Sequence, residues 1–173
     1  DVRRGEIFSV IGPNGAGKTT LFNMISGVLP VSSGSITLDG EDLVRAPSWR
    51  FAALGVGRTF QNLALFKHES VVENILVGAH THLRTSVIDA VLHVGRARRE
   101  EIEARERAEE IIEFLDLEAI RDKTVGLLSY GQQKRVELGR ALACRPKLLL
   151  LDEIVAGMNS EETEDIARFI LDI

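Results

Sequence analysis

Apolar residues run together in EIFSVI, Glu6 to Ile11, and stop at a cluster of glycines, the pattern of a buried strand. After the glycines the period changes. Leu21, Phe22, Ile25 and Val28 fall on one helical face, with Gly27 near the end and Pro30 beyond it. That spacing predicts a helix that stops there. From Gly34 to Leu43, Ile36 and Leu38 alternate with polar residues before Asp39-Gly40, which predicts a half-exposed antiparallel strand and a turn. Pro47 to Leu54 reads as a short helix begun by its proline, and VGRTF, Val56 to Phe60, as a strand.

From Ser70 the helical period persists. SVVENILVGAH, Ser70 to His80, is one predicted helix and Arg96 to Leu117 another. The second sets Ile102, Ile111, Ile112 and Leu115 apart from a solvated mesh of charge. Glu101 with Arg105, and Glu103 with Arg107, have the i,i+4 spacing of helix ion pairs. LSYGQQKRVELGRA, Leu128 to Ala141, opens a helix with Ser129 as its cap and Gly131 in its first turn. KLLLLDE, Lys147 to Glu153, is a second buried strand, whose unbroken leucines predict parallel neighbours and cover on both faces. DIARFILDI, at the end, is helical again. Strand, glycine loop, helix, antiparallel strand, helical insert, helix and strand make an α/β chain, without repeats or low-complexity tracts.

The composition, 45% hydrophobic and 27% charged over 173 residues, supports one sizeable core. A net charge of −5 without clustered basic residues argues against nucleic acid as the partner. Cys144 is the single cysteine, so no internal disulfide forms, and it reads as a small packing residue. No run approaches the ~18 to 20 apolar residues of a membrane-spanning helix, and no secretory signal opens the chain. It starts at Asp1 and ends inside a helical pattern, which suggests a segment of a longer protein.

GPNGAGKT fits the phosphate-loop pattern G-x-x-x-x-G-K-[ST], here Gly12, Pro13, Asn14, Gly15, Ala16, Gly17, Lys18 and Thr19, followed by Thr20. Glycines let several backbone N–H groups turn toward one phosphate chain, and the helix behind adds its positive end. Lys18 is expected to reach the β- and γ-phosphates, and the Thr19 hydroxyl to ligate Mg²⁺. Asp152 and Glu153 follow the leucine strand, where parallel sheets place ligands, so both motifs can serve one site. Asp152 is then suited to hold Mg²⁺ through water, and Glu153 to polarise an attacking water as general base.

GPNGAGKTT, RTFQN, LSYGQQKRVELGRAL and LLLLDE together resemble the ATP-binding cassette ATPases over essentially the whole chain. The resemblance implies a P-loop NTPase core, a mainly parallel sheet flanked by helices, with a small antiparallel portion and an inserted helical subdomain. It divides the chain into residues 1–66 and 128–173 of the core and 67–127 of the subdomain. It implies that Ser129, Tyr130, Gly131 and Gln132 form a signature acting in trans on ATP held by a second cassette subunit. Ser129 would offer a hydroxyl and Gly131 an unshielded N–H. Gln61 corresponds to the glutamine that senses Mg²⁺ and the attacking water, and Ala156 to Asn159 to the loop that crosses the dimer interface. Asn159 stands where many relatives have Asp. Ile154 replaces a frequent proline and is expected to loosen the turn slightly. The family's adenine-stacking aromatic has no counterpart in Asp1 to Gly5, and His68, His80, His82 and His93 do not match its switch histidine.

GVGRTFQNLALFKHESVVENILVGAH and LLLLDEIVAGMNSEET further resemble ATPase subunits of branched-chain amino acid uptake. Those subunits sit on the cytoplasmic face of the membrane and dock on integral permeases. The resemblance implies ATP and Mg²⁺ as cofactors and amino acid import as the task. Urea or amide uptake remains open, as does a soluble cassette acting on ribosomes or DNA.

Overall fold

The computed structural model describes residues 1–59, 63–79 and 96–173. They form two compact units, Asp1–Ser48 and Trp49–Ile173. The α/β class is borne out in both.

In the first unit, helix α1, Lys18–Ile25, follows the glycine loop as predicted. Strands β1, Thr37–Leu38, and β2, Glu41–Asp42, pair antiparallel, with Thr37 opposite Asp42. Asp39 and Gly40 between them both take positive φ, 50° and 84°, which a tight two-residue hairpin turn requires. Ile36 and Leu38 are half-buried and Thr37 is exposed, so the alternation holds.

The segment Glu6 to Ile11 departs from expectation. It carries no strand pairing, and Ile7, Phe8 and Ile11 are 60%, 61% and 92% exposed. A strand exists only through the backbone groups of a neighbour. None of the described strands pairs with this run, so its apolar residues lie open. Likewise α1 forms, but none of its residues is fully buried.

In the second unit a 3₁₀ turn, Ser48–Arg50, leads into α2, Phe51–Leu54. Strand β3, Val56–Arg58, pairs in parallel with β4, Leu148–Leu150, with Val56 opposite Leu148 and Arg58 opposite Leu150. The leucine run is therefore parallel as predicted. Only Leu150 of β4 is fully buried, so its cover is partial.

Helices α3, Val71–Ala79, α4, Arg96–Phe114, α5, Tyr130–Ala143, and α6, Ser160–Asp172, build the core. Val71 and Ile75 meet Ile111, Ile112, Leu115, Val136, Leu138, Ile166 and Phe169 in one cluster. Helices α3 and α5 approach closely at Gly78, where a Cβ would stand 2.2 Å from the Arg140 carbonyl oxygen. Helix α4 ends at Phe114 rather than Leu117, because Asp116 turns left-handed with φ 54° and the Leu117 N–H bonds back to the Ile112 carbonyl at 2.9 Å.

Ile111, Ile112 and Leu115 are buried as predicted, whereas Ile102 is 46% exposed, on a part of α4 away from the core. Arg105 pairs with Glu101 at 3.1 Å, but Arg107 donates to Glu110 at 3.1 Å instead of Glu103. The i,i+3 partner is as reachable on a helix as the i,i+4 one. Cys144 is half-buried, its Sγ 3.6 Å from the Arg140 carbonyl oxygen. No helix among the described residues is long and apolar enough to cross a membrane.

Candidate functional site

The phosphate loop is open. Gly15 and Gly17 take φ of 82° and 87°, and a Cβ on either would meet nothing within 4 Å. Glycine serves here for backbone conformation, leaving free space above the loop. Gly12 is tighter, since a Cβ there would lie 3.2 Å from the Ala16 Cβ. The Ala16 N–H donates to the Pro13 carbonyl at 3.2 Å and closes the turn around Asn14. Lys18 folds back, its Nζ donating to the carbonyls of Gly12 at 2.6 Å and Pro13 at 2.9 Å. Thr19 and Thr20 are exposed in the first turn of α1.

In the second unit, Asp152 follows β4 and is held twice by the segment beside it. Its N–H donates to the Thr59 Oγ1 at 3.4 Å, and its Oδ2 lies 3.3 Å from the Arg58 Nη2. Both charged side chains are nearly closed to water, 8% and 12% exposed. Glu153 is exposed and takes a left-handed φ of 49°. Ile154 beside it is buried in the core, and the Ala156 N–H bonds to the Glu153 carbonyl at 3.0 Å. The Ile154 side chain thus anchors the segment after Glu153 in the core.

Ser129 caps α5 as predicted. Its Oγ accepts from the Gln132 N–H at 3.3 Å, while the Gln132 side chain accepts from the Ser129 N–H at 3.1 Å. Asn159 caps α6 in the same way with Glu162. The two caps share a cavity of about 340 Å³, lined also by Arg135 and Asp165. Gly131 is not unshielded. It is buried, and a Cβ on it would lie 2.1 Å from the Glu162 Oε1. Tyr130 reaches the other way, its Cε1 3.4 Å from where a Gly157 Cβ would stand. The Ser129 opening and the turn at Ala156 to Asn159 are therefore packed against each other.

The ABC transporter family's sequence profile matches residues 1–156. The chain belongs to the ABC transporter family. It is 43% identical over 169 residues to the high-affinity branched-chain amino acid transport ATP-binding protein BraF of Pseudomonas aeruginosa, covering 98% of this chain and 66% of BraF. Among solved structures it resembles an ATP-binding cassette of an ABC transporter in its ADP conformation, at 36% identity and TM-score 0.81, over 99% of this chain and 66% of that one. It also resembles a cassette whose dimeric post-hydrolysis structure holds ADP and Pi, at 26% identity and TM-score 0.79, over 98% of this chain and 70% of that one. The cassette thus spans about two thirds of the length of these relatives.

Gln61 lies outside the described residues, as do His80, His82 and His93; His68 is exposed. The chain just beyond Gln61 is firmly held in the cassette. Asn74, fully buried on α3, accepts from the Phe66 N–H at 2.9 Å and donates to the Phe66 carbonyl at 3.0 Å. Arg140 of α5 donates to the Ala64 carbonyl, and burial pushes its guanidinium below the usual range.

Arg58, Thr59, Glu162 and Lys134 were not marked by sequence reasoning. Lys134 and Glu137 form a buried ion pair at 3.2 Å inside α5. Their i,i+3 spacing was visible, but such spacing normally belongs to a solvated face. Arg58 and Asp152 are 94 positions apart, and only the parallel register brings them together.

Proposed function

We infer that this chain is the ATP-binding and ATP-hydrolysing subunit of a membrane importer, driven by closure of two cassettes around ATP. The transported class is branched-chain or other amino acids, as the name of BraF suggests for that relative. Its partners are a second cassette and integral permease subunits, and its place is the cytoplasmic face of the membrane.

The observation that carries this reading is the capped opening of α5. Ser129 and Tyr130 stand exposed at a helix N-terminus, where hydroxyl and backbone N–H groups favour phosphate. In the inferred dimer, Ser129, Tyr130 and Gln132 meet the γ-phosphate bound by the partner, and Gly131 joins them only once Glu162 uncovers it. Backbone amides of residues 12–20 and the Lys18 ammonium bind the phosphates of their own chain, which requires Lys18 to leave the Gly12 and Pro13 carbonyls. The exposed Thr19 hydroxyl beside the phosphate loop is a hard oxygen donor that suits Mg²⁺, and Asp152 and Gln61 offer the same kind of oxygen. Bound there, the ion would draw charge from the β- and γ-phosphate oxygens. Glu153 accepts the proton of the attacking water.

The test uses the full-length protein. Glu153→Gln removes the base and keeps nucleotide binding, so ATP should convert it from monomer to dimer in light scattering. A monomer at saturating ATP would sink the closure mechanism. Ser129→Arg should block that dimer while leaving ATP binding intact. Copurification with permeases, and ATP-driven leucine uptake in proteoliposomes, tests the transport task; copurification with ribosomes would reassign it.

A further inference from the structure

The carboxylate that closes the cap of α6 also stands against the mouth of α5. Glu162 accepts from the Asn159 N–H at 3.2 Å through Oε2. Its Oε1 lies so near Gly131 that a Cβ there would stand 2.1 Å away. Gly131 is buried, although Ser129 and Tyr130 just before it are exposed. Both helices belong to the second compact unit.

An anion suits this place, because the first turn of a helix carries unpaired N–H groups and a partial positive charge. Glu162 supplies from within the chain the kind of charge that a phosphate would bring. The two then compete for Gly131, since they need the same space and like charges repel. The carboxylate has somewhere to go. A cavity of about 340 Å³ lies beside both caps, lined by Glu162 itself and by the half-buried Arg135. Leaving forfeits the bond from the Asn159 N–H, which holds the carboxylate in place at rest.

We propose that Glu162 is an autoinhibitory cover on Gly131, a resident anion that the phosphate of a partner's nucleotide must displace before two cassettes close. The proposal rests on the inferred role of the α5 opening. The cover raises the ATP concentration at which closure occurs. Glu162 acts through Gly131 and is a positioning residue.

The experiment uses full-length protein carrying Glu153→Gln and reads, by light scattering, the ATP concentration that gives half-maximal dimer. Adding Glu162→Gln removes the charge but keeps the shape and an oxygen for the Asn159 N–H. Half-maximal dimer should then need about tenfold less ATP, a usual size for coupling between two sites. A purely structural loss would raise the requirement rather than lower it. Adding Glu161→Gln instead removes an exposed charge from the neighbouring position and should leave the requirement unchanged. A second readout keeps Glu162 intact. In a crystal structure of the ATP-bound Glu153→Gln dimer, the Glu162 carboxylate should stand clear of Gly131. A carboxylate still against Gly131, an undiminished requirement in Glu162→Gln, or an equal fall in Glu161→Gln overturns the cover alone. No dimer at saturating ATP overturns the closure reading and the cover with it.

Discussion

The Glu162 carboxylate lies against Gly131, so near that a methyl group on that glycine would stand 2.1 Å from Oε1. The glycine at the mouth of α5 thus answers to a neighbour within its own chain. Glu162 cannot simply swing away, because the same carboxylate accepts from the Asn159 N–H and closes the cap of α6.

Gly131→Ala should therefore destabilise the protein by about 1 kcal/mol or somewhat more, the cost of a lost helix cap. Alanine is otherwise the better helix former. In a Glu162→Ala background the same substitution should cost almost nothing. Equal costs in both backgrounds, measured by urea unfolding, would show that Glu162 is not the obstacle.

The buried pair Lys134–Glu137 makes a sharper demand on the fold. Removing one partner, as in Glu137→Ala, takes the paired carboxylate from an ammonium buried to 1% exposure. The expected loss is about 3–5 kcal/mol. Replacing both with Met and Leu should recover most of it, and a double-mutant cycle in denaturant reads the difference. A single variant as stable as the parent would mean that water reaches the site.

Asn74 holds the segment after Gln61 through three side-chain bonds, to the Phe66 N–H and carbonyl and to the Ser70 carbonyl. Asn74→Leu keeps the branched heavy-atom shape, with somewhat greater bulk, and loses the bonds. Stability should fall by about 2–4 kcal/mol, and the Phe66 amide should lose its protection in hydrogen exchange. Retained protection at Phe66 would assign its order to other contacts.

Acid should weaken the start of α3 in a defined way. The Ser70 hydroxyl, and then the Ser70 N–H, hold the Glu73 carboxyl below its ordinary value of 4.5. A depressed carboxyl contributes stability above its unfolded value and loses it as pH falls through the folded one. Glu73→Gln should therefore flatten part of the acid limb of Tm against pH and change little at neutral pH. An unaltered acid limb would refute the role.

Much of this protein was legible before its structure. The phosphate loop, the hairpin at Asp39-Gly40 and the Ser129 cap all depend on residues a few positions apart. Their geometry follows from backbone preference and local hydrogen bonds: Gly15 and Gly17 of the loop take positive φ, the hairpin pairs and the cap forms. Periodicity likewise located the helices and the buried positions Ile111, Ile112 and Leu115, though not the exposure of Ile102.

Other features could not be read locally. Whether EIFSVI is buried depends on a neighbour strand, whose presence no hydrophobic run can guarantee. That Gly131 is covered by Glu162 depends on how α5 meets α6. That Arg58 meets Asp152 depends on one register between β3 and β4, across 94 positions. Sequence by itself determined the motifs and the elements that carry them, because those interactions close within a turn or two of chain. Only tertiary structure decided which charges were buried together, because long-range contacts are set by packing, where a carboxylate's partner is whatever the fold brings beside it.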